Sequence, residues 1–278
     1  MIRLRFSLLV ILAIASISFA SQSYLDVYGP VPGLIYQNGS MYLGKVGPGE
    51  SFYVMASAAT VDTSGKLINI GWDTLKAVQL PAGWSAQQSP LYANPMKMKI
   101  TTSPNSSDGT YRMVLQAENV GNYSKLGNLT FTAYINVSTD VFDVNVTPSS
   151  LDLGVGQPGN IYLTIRNTGA SDDPFIISAY GLPNLNSTTQ KIILHSTTTS
   201  SAYPISINEP GVYTLYINVT STSSSLVHKL YAINTTVSAS LLNDYTAASE
   251  GAIISPVIFQ PAYAIMHLIE VLVSKFIQ

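Results

Sequence analysis

The side chains with the widest chemical repertoire in this sequence are three histidines, His195, His228 and His267. Imidazole is the usual proton carrier near neutral pH and the commonest metal ligand. Either role needs a second group held beside it. No His-x-His and no His-Glu-x-x-His is present, and each histidine stands alone in its stretch. Asp172 and Asp173 are adjacent carboxylates that follow Thr168-Gly169-Ala170-Ser171. Calcium takes six or more oxygens, and the spacing of an EF-hand loop is missing, so the pair reads as a solvated turn. The Gly-x-Ser-x-Gly elbow and the Gly-x4-Gly-Lys-Ser/Thr phosphate loop are absent. There are no cysteines, which removes thiolate nucleophiles, CxxC redox chemistry, disulfides and thiolate zinc sites together. The expectation is a non-enzyme with no catalytic residues, no metal and no cofactor.

A different chemistry is written repeatedly. Asn-x-Ser/Thr occurs nine times, at Asn38, Asn105, Asn122, Asn128, Asn136, Asn145, Asn186, Asn218 and Asn234. Chance supplies about three or four at this content of Asn, Ser and Thr. A glycan needs an exposed acceptor. Asn136, Asn145 and Asn218 fall on strand faces that alternation turns toward water, so the two arguments agree. Glycans there would also cover sheet faces and edges that invite edge-to-edge pairing. Of the aromatics, Trp84 follows a Pro-x-Gly turn and is expected in the core. A groove gathering Trp72, Trp84 and Tyr92 would instead favour ligand binding.

These residues need elements to hold them, and the pattern is β. Phe142, Val144 and Val146 alternate with Asp143, Asn145 and Thr147; Ile161, Leu163 and Ile165 alternate with Tyr162, Thr164 and Arg166. A period of two sends one set to a core and the other to solvent. Gly156, Pro158 and Gly159 break the run where the chain reverses. Further strands are expected at Ser51–Ala59, Trp72–Leu80, Met96–Thr101, Thr110–Glu118 and Leu129–Val137. A second set is expected at Phe175–Tyr180, Gln190–His195, Ala202–Ile207, Tyr213–Val219 and Lys229–Val237. Ser196–Ser201 and Ser221–Ser225 read as polar loops.

The run from Thr147-Pro148 through Leu151-Asp152-Leu153 and Gly156–Gly159 to Leu163–Gly169 resembles the start of the immunoglobulin-like modules of archaeal and bacterial cell-surface proteins. Leu80–Asn119 resembles the second half of such a module. The resemblance implies an all-β chain of two tandem immunoglobulin-like β-sandwiches, at 24–139 and 140–239, working outside the cell in an archaeal envelope. The length of 278 residues suits two domains of about 100 residues each.

Both ends differ from the body. Met1–Ala20 has Arg3 and Arg5 before an apolar run and ends on small residues, as an export signal does. Residues 240–251 read as a polar connector. Residues 252–278 are strongly apolar, with Pro256 and Pro261 early and a helix expected from Ala262. On that helix Tyr263, His267, Glu270, Ser274 and Gln278 form one polar stripe. The helix would be about 24 Å long, short of the ~30 Å hydrocarbon layer. Three placements stay open: spanning the membrane with the stripe on a partner, lying in the interface, or docking on the sandwich.

Net charge is −2 and only 10% of residues are charged, against about 25% in ordinary globular chains. Nothing here draws nucleic acid. The sequence therefore predicts an exported, N-glycosylated envelope protein with a structural, adhesive or scaffolding role. Its partners are the membrane or a membrane protein, through the tail, and other envelope proteins. The alternatives are a glycan- or ligand-binding accessory subunit of a membrane transporter or enzyme, and a filament subunit that exchanges a strand near Tyr24–Tyr28.

Overall fold

The computed structural model describes residues 23–61, 67–68, 71–121, 127–239 and 269. The expected signal at 1–20, Asn122, the connector and the tail stripe of Tyr263, His267, Glu270 and Ser274 lie outside those residues. Residues 23–239, where described, hold strands and turns and no helix. The chain divides into two compact units. The first takes residues up to Gly44, Phe52–Ser103 and Thr110–Asn136; the second takes Lys45–Ser51, Pro104–Gly109 and the chain from Val137.

The first unit is built on β1 (Ser23–Gly29), β2 (Gly33–Ile35), β3 (Ser40–Val46), β4 (Ser51–Val61), β5 (Leu67–Ile68), β6 (Thr74–Gln79), β7 (Ser85–Gln87), β8 (Met96–Thr101), β9 (Gly109–Glu118) and β10 (Leu129–Val137). One sheet runs β2-β1-β4-β8-β7 with β5 against β4, and the other runs β3-β10-β9-β6. Alternation decides which side chains go inside. In β8, Met96, Met98 and Ile100 are buried while Lys97 is exposed; in β9, Met113, Leu115 and Ala117 are buried between more exposed neighbours. β1 is paired on both sides, with β2 and with β4. The strand that an exchange mechanism would donate is thus already in its own sheet.

The second unit is built on β11 (Phe142–Thr147), β12 (Ser150–Gly154), β13 (Pro158–Asn167), β14 (Asp173–Tyr180), β15 (Asn186–Ile193), β16 (Thr198–Ser206), β17 (Gly211–Ser221) and β18 (His228–Ser238). Its sheets are β11-β13-β16 and β12-β18-β17-β14-β15. β12 pairs with β18 in parallel, whereas the other pairings of the unit are antiparallel. Two sheets with the first strand split between them and the last strand beside its second half form an immunoglobulin-like sandwich. Ile161, Leu163 and Ile165 of β13 face Leu215, Ile217 and Val219 of β17 in one core, and the Phe142 and Phe175 rings meet at 4.8 Å. Each such side chain contributes roughly 1.5–3 kcal/mol when fully buried.

Three expectations change. Thr198–Ser201 is not loop but the start of β16, paired residue for residue with β13 from Arg166 to Leu163. A run of Thr and Ser suits a half-exposed pleat as well as a turn. The strand expected at Gln190–His195 begins earlier, at Asn186, and ends at Ile193. Asp173 is not in a solvated turn; it is the first residue of β14 and is buried. Apart from these three, Gly154-Val155-Gly156-Gln157-Pro158-Gly159 has the spacing of a dinucleotide fingerprint, which needs a helix after it. Here β13 follows, so the glycines serve a strand reversal, with Gly156 at φ 73°.

Candidate functional site

The first unit holds a cleft of about 250 Å3 whose lining includes Trp72, Asp73, Tyr92, Asn94, Ala58 and Met96. Two stretches make it: residues 71–73, which lead into β6, and residues 89–95, which lead into β8. They are sewn together by polar contacts. Thr74 Oγ1 donates to the Ser89 carbonyl at 2.9 Å, Leu75 N donates to Ser89 Oγ at 2.8 Å, and Ser89 N returns a bond to the Leu75 carbonyl at 3.0 Å. Thr74 and Ser89 are both buried, so each unmade bond would cost about 1–3 kcal/mol. Next along, Tyr92 N donates to the Asp73 carbonyl at 2.8 Å.

The functional side chains are then fixed one by one. Trp72 donates its indole N–H to the Gly127 carbonyl at 2.9 Å and is 8% exposed, so its polar edge is committed and only a small part of its ring borders the cleft. Asp73 Oδ2 accepts from Gly121 N at 3.0 Å. Asn94 Oδ1 accepts from Ser57 Oγ of β4 at 2.7 Å, which leaves the amide N–H2 as the group it has to give. Tyr92 is 65% exposed and sits at φ 59°. A bulky residue in the left-handed region costs of order 1–3 kcal/mol and persists where the surroundings impose it.

Sequence reasoning named Trp72 and Tyr92, and the fold does bring them to one place. It does not bring Trp84 there. Trp84 is 8% exposed and tilts against Tyr111 at 5.3 Å, a core position as expected. Asp73 and Asn94 were missed. Their only local signal is a carboxylate beside a Trp and an Asn-Pro pair two residues after a Tyr.

A second unusual feature lies within the second unit, where Glu50 of the turn 47–50 meets Asp173. Glu50 is 1% and Asp173 2% exposed. Glu50 Oε2 accepts from Gly47 N at 2.9 Å, and Ser223 Oγ donates to Asp173 Oδ1 at 3.1 Å. Burial, then the neighbouring Asp173 charge, pushes Glu50 up to about 8. Burial also raises Asp173, while the Ser221 and Ser223 hydroxyls and the hydrogen bond with Glu50 hold it down. At neutral pH, Glu50 keeps its proton beside the Asp173 carboxyl. Among the described residues no group of three or more His, Cys, Asp or Glu is placed to hold a metal ion.

The remaining candidates are surface features. His195 Nδ1 lies 2.7 Å from Asp172 Oδ1, and His195 N donates to the same oxygen at 2.8 Å, which ties the turn after β15 to the start of β14. His228 Nδ1 lies 2.9 Å from the Ser225 carbonyl. Asn38, Asn105, Asn128, Asn145, Asn186 and Asn234 are exposed; Asn136 and Asn218 are half-buried.

No family model and no curated protein matches the sequence. Among solved structures, the chain is similar to a chimeric titin Z1Z2 carrying a decorin peptide, at 15% identity and a TM-score of 0.35, over 79% of this chain and 99% of that one. It is similar to the D00-D0 domain of intimin at 11% identity and a TM-score of 0.24, over 76% and 96%. It is similar to the β-glucosidase of Listeria innocua at 12% identity and a TM-score of 0.27, over 35% and 16%. Nothing that those proteins bind or catalyse transfers to this chain at such similarity.

Proposed function

We propose that this chain is an exported, N-glycosylated protein of the cell envelope, a structural or adhesive β-sandwich module tethered by its C-terminal segment to the membrane or to a membrane protein. One observation carries the reading: no sequon asparagine among the described residues is buried as a whole, six are exposed, and Asn218 alone among them has its amide oxygen covered with no partner. A polar asparagine tends outward in any fold, so exposure alone is weak. The number of sequons and the shortage of charge give it weight. With 10% charged residues, this surface lacks the usual means of staying soluble, and glycans would supply it.

The test uses the native source. Intact mass of the mature protein is expected to exceed that of the bare chain from Ser21 by glycan increments, and protease shaving of whole cells should remove it. A bare mass, or protection from shaving, overturns the reading. Deleting residues 252–278 is expected to release the protein from the membrane fraction. Glu270→Leu is expected to change what co-purifies from gently solubilised membranes, because a carboxylate at that depth asks for a partner.

A further inference from the structure

We propose that the Trp72–Tyr92 cleft of the first unit binds a neutral saccharide, with one pyranose ring in the cleft and its neighbours in solvent. The lining chemistry decides the ligand class. Among the described residues no Lys or Arg lines the cleft, so a phosphorylated or carboxylated ligand finds no counter-charge from them and meets Asp73 as a like charge. A purely apolar ligand would strip water from the Asp73 carboxylate and return nothing. A cation would suit the exposed Tyr92 ring and a carboxylate. It would, however, face the Asn94 N–H2, which needs an acceptor that a cation lacks, since Asn94 Oδ1 is already taken by Ser57.

A sugar meets all of these demands at once. Its hydroxyls donate to Asp73 and accept from Asn94, while its C–H face lies on aromatic carbon. The volume of about 250 Å3 lies just under the ~300–1,000 Å3 of sites for drug-sized molecules, which sets the occupancy at one ring.

Tyr92 gives the second line of support. A tyrosine held at φ 59° with most of its surface in water gains little packing in return for the strain. A glycine or asparagine would take that backbone position more readily. Strain that packing does not explain is a mark of a residue kept for contact with something else.

The test is binding of neutral mono- and disaccharides to the full chain, made without glycans and held in a detergent with no sugar headgroup. Saturation-transfer NMR is expected to show ring protons of at least one saccharide in contact with the protein. Tyr92→Gly is expected to leave Tm unchanged or raise it while weakening binding by ~10-fold or more, since it relieves the backbone and removes the ring. Asp73→Asn, which keeps an acceptor for Gly121 N, is expected to weaken binding as well, and Trp84→Phe to leave it unchanged. No contact with any neutral saccharide, or equal binding by Tyr92→Gly and Asp73→Asn, overturns the proposal. Neither outcome bears on where the protein resides, so this inference stands apart from the envelope reading.

Discussion

At Glu50 a single proton links fold to pH. A free glutamate titrates near 4.5, whereas Glu50 in the folded protein is raised to about 8. Between those values the native state holds a proton that the unfolded chain has released, so stability falls as pH rises. The contribution is whole below about 4.5 and is gone once pH passes about 8. Thermal melts across that window should therefore show Tm declining toward alkaline pH. Glu50→Gln, which keeps the donor and cannot ionise, should flatten the decline and gain at least ~3 °C above pH 8. A variant with the wild-type slope would place the proton elsewhere. No local signal marks this pair, because Glu50 lies in the turn before β4, Asp173 opens β14, and only the folded second unit joins them. Asp173 itself read as solvated for the same reason: a turn-like string says nothing about what comes to cover it.

Among the elements, those with strict alternation were the legible ones. β8 and β10 begin and end where the side-chain rhythm puts them, and β13 buries Ile161, Leu163 and Ile165 as that rhythm requires. β5 and β7 are too short to show a period, and β16 opens on Thr and Ser, which serve strand and loop equally. The aromatic cleft was half legible for a related reason. Composition can nominate Trp72 and Tyr92, but which turn meets which is a matter of topology. Turn chemistry does make firm demands at one place. Gly181, at the end of β14, has φ +101°, and an added Cβ would run into the Thr214 carbonyl oxygen of β17. Both are backbone constraints that no rotamer relieves. Gly181→Ala is expected to cost ~2–4 kcal/mol in chemical denaturation. Gly127→Ala, at φ +69° with nothing within 4 Å, should cost ~1 kcal/mol.

For the whole molecule, charge is scarce, and outside the buried Glu50–Asp173 pair the charged contacts among the described residues lie at the surface. The ion pairs among the described residues are Lys76–Glu118, His195–Asp172 and Lys229 with Asp140 and Asp143, and all are at least partly solvated. Exposed pairs contribute about 0–1 kcal/mol each and are screened by salt. Stability should thus be nearly indifferent to sodium chloride, with Tm moving by less than ~3 °C between dilute buffer and molar salt. A larger shift would mean that charge holds more of the fold than the geometry shows.

The parallel pairing of β12 with β18 carries a mechanical consequence. Ser150–Gly154 runs beside Asn234–Ser238 in the same direction. Tension applied through the two ends of the chain drags these neighbours in opposite senses, so their hydrogen bonds are loaded side by side and fail together. Tension applied at Gly211 and Ser238 would instead open the β17–β18 hairpin one rung at a time. With no native cysteine, introduced thiols give unique handles for either geometry. In single-molecule pulling the end-to-end direction should rupture at the higher force, and equal forces would remove the claim. Under the proposed tether, a body that resists along the line of its own ends can bear drag without unzipping.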